Sequence, residues 1–458
     1  MGLSVVILAA GQGKRMHSRL PKALHALAGR PLLEHVYHSA AQLPRARIFI
    51  VHGHGGERVR ESLAALKAQW IEQRQQLGTG HAVRQVLPQL KSGDTVLILY
   101  GDVPLITAHT LARLVDAAGD RGVGLLTATL NDPSGYGRIL RDKKGGVTAI
   151  MEERDADETQ RAIREVNTGM MALPRADLER WVSRLENRNS QREYYLTDII
   201  AMAVKEGAPV ATISPDSVYE VMGVNDRVQL AELERYYQIV QAQHLMQQGV
   251  TIADPARFDL RGELEVGQDV FIDINVVLEG RVSLGNNVRI EANNVIRDAR
   301  IEDDAVLLPN CVIDGAVIGR GARVGPFARL RPETALAEDA QVGNFVEVKK
   351  SRIGKRSKVN HLSYVGDTEI GHDCNVGAGT ITCNYDGANK HRTIIGNDVF
   401  IGSGTQLVAP VRVGDGATLG AGTTLTRDAP PRQLTISRAG QRSVRSWKRP
   451  AKNRAKKK

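Results

Sequence analysis

Two clusters of residues have the types and spacing that chemistry requires, one in each half of the chain. After the apolar run Val5 to Leu8 come Ala9, Ala10, Gly11, Gln12, Gly13, Lys14, Arg15 and Met16. Small residues there let backbone N–H groups approach a phosphate, and Arg15 adds a fixed positive charge. Pro21 and Lys22 follow, a rigid residue restraining a second cation. The pattern is neither common nucleotide loop: the third glycine of GxGxxG is absent and GxxxxGK[ST] does not occur. Asp102 stands just past a second apolar run, Val96 to Leu99, where a carboxylate either caps a turn or holds a hard cation. In the other half, His361 follows Val359 by two positions and projects from the fold. An imidazole with an ordinary pKa of about 6.5 is a candidate general base there, its alternative being an inert surface histidine.

These residues need frames. From residue 1 to about 227, the short apolar runs Val5 to Leu8, Ile48 to Val51 and Val96 to Leu99 alternate with amphipathic stretches. That alternation predicts an α/β domain, a Rossmann-like, mainly parallel sheet covered by helices, whose ligands bind beyond the carboxyl ends of the strands. Residues 228–248 read as a helix, with Leu230, Leu233, Tyr237 and Val240 at three- and four-residue spacing and Gly249 as the stop. It is either a rod between domains or a terminal helix packed on the first.

Residues 249–458 form the third segment. Beyond 260 the period becomes six: Leu260, Val266, Ile272, Leu278, Leu284, Ile290 and Ile296, then, after one-residue slips, Ile301, Leu307, Ile313, Ile318, Val324, Leu330, Leu336, Val342 and Val348, and finally Ile395 to Leu425. Hexapeptide periodicity predicts a parallel β-helix, and the pattern resembles the left-handed form. The aromatic content of 4% suits a narrow aliphatic core. Residues 382–394 are too long for a corner and must loop outward.

Composition narrows the function classes. At 42% hydrophobic and 24% charged residues, the chain is a folding, soluble type rather than a disordered one. No apolar run reaches the 18 residues needed to span a bilayer, so no membrane association is expected. Three cysteines, Cys311, Cys374 and Cys383, without CxxC spacing, fit free thiols in the cytoplasm rather than a disulfide framework or zinc cluster. Arg445, Lys448, Arg449, Lys452, Arg454, Lys456, Lys457 and Lys458 supply eight of the formal net charge of +10. With Trp447 as the one aromatic among them, they read as a solvated end and not a nucleic-acid site.

The first half resembles the sugar-nucleotide pyrophosphorylases. The match runs through Leu8, Ala9, Ala10 and Gly11 to Met16 (LAAGQGKRM), Pro21 and Lys22, Gln73 to Gly80 (QRQQLGTG), Tyr100, Gly101 and Asp102 to Pro104 (YGDVP), Gly135 to Arg138 (GYGR), Glu152, Asn167 to Gly169 and Gly223 to Asn225. With the hexapeptide half added, residues 3 to about 450 resemble the bacterial enzymes that combine N-acetylglucosamine-1-phosphate uridyltransferase and glucosamine-1-phosphate acetyltransferase activities. The resemblance implies that Gln73, Gly78 and Thr79 meet the uracil of UTP, and that Asp102 and Asn225 hold Mg²⁺. It implies that Gly137, Glu152 and Asn167 contact the sugar, and that Arg15 and Lys22 neutralise phosphate. In the second half it implies that His361 is the base and that Arg331, Lys349, Tyr364 and Asn375 hold the sugar phosphate. Ala378, Asn384, Tyr385, Ser403, Ala421 and Arg438 would then hold acetyl-CoA, in a homotrimer whose product feeds peptidoglycan and lipopolysaccharide synthesis. Two other readings are a nucleotidyltransferase with a regulatory β-helix and a non-enzymatic scaffold. His361, Lys349, Arg331 and the loop from Asn384 to Lys390 speak against the former, and the joint presence of Arg15, Lys22 and Asp102 against the latter.

Overall fold

A computed structural model describes residues 2–449 except 12 and 54, so Lys452, Arg454 and Lys456 to Lys458 of the basic tail lie outside the described residues. The chain divides into two compact units, residues 1–243 and 244–458.

The first unit is built on nine strands: β1 (Leu3–Ala9), β2 (Ala46–His52), β3 (Gln69–Glu72), β4 (Thr95–Tyr100), β5 (Val123–Thr129), β6 (Gly137–Arg141), β7 (Val147–Met151), β8 (Glu165–Pro174) and β9 (Val210–Ile213). Their order is β9-β5-β8-β4-β1-β2-β3, with the β6–β7 hairpin attached to β8. The three apolar runs of the sequence lie in β1, β2 and β4, which are adjacent and parallel. The sheet is mixed because β8 runs antiparallel to both β4 and β5.

Period-two alternation divides β1 between two cores. Val5 and Ile7 face Leu33 and Val36 of α1 (Leu32–Ala41) and Leu111 and Leu114 of α3 (Ala108–Ala118). Val6 and Leu8 face Val83 and Val86 of α2 (Thr79–Val86), Trp181 of α4 (Arg175–Val182) and Ile199 of α5 (Asp198–Lys205). Burial on both faces is why β1 and β4 read as unbroken apolar runs.

The long helix α6 (Arg227–Gln247) belongs with the first unit over most of its length. Leu233 is buried and Leu230 and Tyr237 are partly buried against Met16, Leu27, Leu32 and Val224. Its Glu234 Oε2 accepts from the Ala28 N–H at 2.6 Å. Val240, expected on the same apolar stripe, is instead exposed: beyond Tyr237 the buried positions of the helix are Gln238, Ala242 and Leu245.

The second unit is a parallel β-helix. Strands stack in register with partners 17 or 18 residues on, three hexapeptides per coil, as in Phe258 on Val276 and Val312 on Arg329. The expected six-residue ladder is the buried core from Leu260 to Leu425, except that Val266, near its start, is only half-buried. Between His372 and Asn397 one turn of the coil takes 25 residues, the extra ones forming the loop expected from residues 382–394. Ile313 is fully buried in this stack. Ile313→Ala should cost about 2–5 kcal/mol through lost burial and the cavity left behind. Chemical denaturation followed by circular dichroism checks this, and an unchanged midpoint would contradict it.

Candidate functional sites

In the first unit, the carboxyl ends of β1 and β4 open onto a cavity of about 470 Å³. Parallel register sets Leu8 beside Tyr100, and the Gly101 N–H donates to the Leu8 carbonyl at 2.9 Å, so both loops leave the sheet together. Leu8, Ala9, Ala10, Gly11, Lys22, Gln73, Gly78, Thr79, Tyr100, Gly101 and Asp102 all line the cavity. Gly78 has φ +103°, and a Cβ there would come within 2.7 Å of the Tyr194 carbonyl. Gln73 is buried, and its amide nitrogen donates to the Gly78 carbonyl at 3.2 Å and lies 3.1 Å from His81 Nδ1. Its oxygen is therefore the hydrogen-bonding atom left for a ligand.

Lys22 ties the cavity floor together. Its Nζ forms an ion pair with Asp102 and donates to Asn225 Oδ1 at 2.8 Å. The Val224 N–H donates to the Asp102 carbonyl at 2.9 Å, and the Asn225 N–H to Gln229 Oε1 at 2.7 Å, so the start of α6 places Asn225 beside Asp102. Arg15 lies exposed on a short turn, Lys14–Met16, bounded by left-handed Gly13 and His17. Lys14 of that turn lines the cavity. Sequence reasoning passed over Lys14, and also Gln76 and Glu193 of the lining.

Gly137, Glu152 and Asn167 gather beside Tyr100 and do not line this cavity. Gly137 pairs with Asn167 across β6 and β8, and a Cβ on it would lie 3.6 Å from Glu152 Oε2. Gly169 has φ +86°, and a Cβ there would strike the Tyr100 ring at 2.4 Å, so only glycine lets β8 approach. Burial, then the carboxylates of Glu152 and Asp102, push the Tyr100 phenol above its usual range. Glu152 accepts from Thr197 Oγ1 at 2.8 Å, and burial raises its pKa. Beside it, Asp198 is pushed up to about 6 by burial and then by Glu152 and Asp155. Neither Thr197 nor Asp198 carries a sequence signal beyond its position at the start of α5.

In the second unit one corner of the coil carries a column of residues, one from each turn. The Leu362 N–H donates to the Asn344 carbonyl, Gly379 to His361, Gly404 to Ala378 and Gly422 to Ser403, so Asn344, His361, Ala378, Ser403 and Ala421 succeed one another along the axis. Arg438 donates to the Ala421 carbonyl at 2.5 Å and closes the column. His361 Nδ1 lies 2.9 Å from Asn344 Oδ1. An amide oxygen only accepts, which assigns the proton to Nδ1 and leaves Nε2 as a base. Asn344 was not singled out from sequence; its 17-residue spacing from His361, one coil, is the signal that would have found it.

Lys349 is pushed below the usual lysine range, first by the neighbouring Lys390, then by desolvation and the charge of Arg331. Arg331 itself donates to Glu347 at 2.9 Å. A Cβ on Gly366 would meet Tyr364 Oη at 2.5 Å and Asn384 Nδ2 at 2.8 Å, placing both polar groups over bare backbone. Asn375 is exposed on the strand beside Lys358. The outward loop closes on its own coil: Asn384 donates to Asp367 at 2.5 Å, and Tyr385, 60% exposed, donates its hydroxyl to the Gly387 carbonyl at 2.6 Å.

Comparison with known proteins accords with this division. Residues 5–187 match the MobA-like NTP transferase domain, 260–349 the GMPPB C-terminal domain and 392–427 six bacterial transferase hexapeptide repeats. The bifunctional protein GlmU of Azoarcus sp. (strain BH72) is 60% identical over 452 residues, 99% of this chain and 100% of that one. The bifunctional protein GlmU of Methylococcus capsulatus is 59% identical over 455 residues, 99% of each chain. The chain belongs to the GlmU family. As a GlmU-family protein it is a two-step enzyme of UDP-N-acetylglucosamine synthesis, with a nucleotidyltransferase in one half and a hexapeptide acetyltransferase in the other.

The raised Asp198 carboxyl carries a pH signature. Its folded value of about 6 exceeds its ordinary 3.8, so it supports the fold while protonated and loses that support as pH rises through about 6. Asp198→Asn should therefore raise the melting temperature at neutral pH, with the gain fading to nothing at about pH 4. Equal gains at both pH values would contradict the assignment.

Proposed function

We propose that UTP occupies the cavity at the ends of β1 and β4 and that acetyl-CoA lies along the corner column of the β-helix. The observation that carries this reading is the convergence of separate cationic and basic groups in the two units: Lys22 at Asp102 and Asn225, and His361 in line with Ala378, Ser403 and Ala421.

Acetylation comes first. The free-base amine of glucosamine-1-phosphate attacks the thioester carbonyl, His361 Nε2 takes the proton from that nitrogen, and as the C–S bond breaks the imidazolium returns it to sulfur so that the coenzyme leaves as its thiol. Asn344 keeps the imidazole in the tautomer able to do this. Lys349, Lys390 and Arg331 hold the sugar phosphate, while Tyr364, Asn375 and Asn384 orient the sugar and donor. Arg438 and the exposed Tyr385 complete the acetyl-CoA site. Under this reading three copies assemble in the cytoplasm, and Tyr385 reaches a neighbouring copy.

In the first unit, a phosphate oxygen of N-acetylglucosamine-1-phosphate attacks the α-phosphorus of UTP and pyrophosphate leaves in line. A sugar phosphate has a second pKa of about 6, so the nucleophile needs no base. Lys22, Lys14 and Arg15 neutralise the crowded phosphates. Gly137, Glu152 and Asn167 hold the sugar beside Tyr100. Asp102 and Asn225 turn two oxygens toward one cation, Lys22 Nζ, and such a hard donor pair fits Mg²⁺. When bound there, Mg²⁺ supplies charge neutralisation on the phosphate oxygens.

The two sites should fail separately. His361→Ala should lower acetyl transfer by about 10²-fold or more with pyrophosphate release from UTP unchanged. Asp102→Ala should do the reverse. Steady-state assays with each half-reaction's own substrates decide this, and loss of both activities in either variant would defeat the two-site reading.

A further inference from the structure

We infer that Lys22 is a built-in cation that occupies the metal position until a phosphate draws it away, so that this chain admits a divalent ion together with nucleotide and not before it. The inference rests on the reading of Asp102 and Asn225 as the metal ligands. Both side-chain oxygens already converge on a single atom, Lys22 Nζ, by ion pair to Asp102 and at 2.8 Å from Asn225. A hard dication needs those same oxygens at about 2.0–2.1 Å. An ammonium and a dication side by side repel strongly in a cleft where the lysine side chain is only 13% exposed, so one excludes the other.

The backbone allows an exchange without refolding. Lys22 opens a short turn, Lys22–Leu24, whose Ala23 and Leu24 are buried, and Pro21 before it is fixed in extended geometry. The Cα is thereby held while the four-carbon stem can turn. Lys22 also lines the cavity beside Ala10 and Gly11, so a swing from Asp102 toward a bound phosphate stays within one pocket. Without nucleotide, Lys22 neutralises Asp102 and leaves a metal little net charge to seek. With phosphate bound, the ammonium acquires a stronger partner and both oxygens are freed.

The test titrates Mn²⁺ alone, without nucleotide, into the full chain and follows free Mn²⁺ by electron paramagnetic resonance. Lys22→Met and Lys22→Ala should each bind Mn²⁺ about tenfold or more tightly than the parent chain. Both should melt lower in EDTA and regain stability with Mn²⁺, and adding Asp102→Asn should erase the gained site. If Asp102→Asn weakens Mn²⁺ binding in the parent chain yet neither Lys22 variant binds more tightly, the exchange is refuted and the ligand reading survives. If Asp102→Asn changes Mn²⁺ binding in no background, the ligand reading is refuted and the exchange with it.

Discussion

Cationic side chains held close together repel, and in each unit the central lysine stands beside carboxylate counter-charges. In the first unit the answer is a carboxylate and an amide: Lys22 is fixed between Asp102 and Asn225, which β4 and the start of α6 place side by side. In the second, the charges of Lys390 and Arg331 hold Lys349 below the usual lysine range, with Asp367 as a counter-charge and Glu347 accepting from Arg331.

Parallel architecture does the positioning in each unit by a different route. In the sheet, register between β1 and β4 puts two loops at one edge, so the turn at Gly11 and the carboxylate of Asp102 share one cavity. In the coil, repetition every 17 or 18 residues turns a sequence period into a spatial column, and His361 and the small residues Ala378, Ser403 and Ala421 line up without any long-range folding decision. Each coil adds one group to the same corner.

The readability of the sequence follows from these mechanisms. Strands buried on both faces appear as apolar runs, and the hexapeptide ladder appears as period six, so β1, β2, β4 and the core from Leu260 to Leu425 were legible. The cavity-lining residues from Leu8 to Gly11 and from Tyr100 to Asp102 were legible because they immediately follow such strands. Lys14 was not distinguished from Arg15, since which of two neighbours faces a cavity depends on the left-handed residues Gly13 and His17. Thr197 and Asp198 escaped because their importance arises from contacts between elements, which no local spacing records, whereas Asn344 carries its signal only in the one-coil spacing from His361. Val240 misled because beyond Tyr237 the buried face of the helix runs through Gln238, Ala242 and Leu245, off the expected stripe.

The most direct measurement of the two-pocket account mixes the purified full chain with glucosamine-1-phosphate, acetyl-CoA, UTP and Mg²⁺ and identifies the products by mass. The account predicts UDP-N-acetylglucosamine together with coenzyme A and pyrophosphate, with acetylated sugar phosphate accumulating when UTP is left out. Appearance of UDP-glucosamine alone, or of acetylated sugar phosphate with no nucleotide sugar, would contradict it.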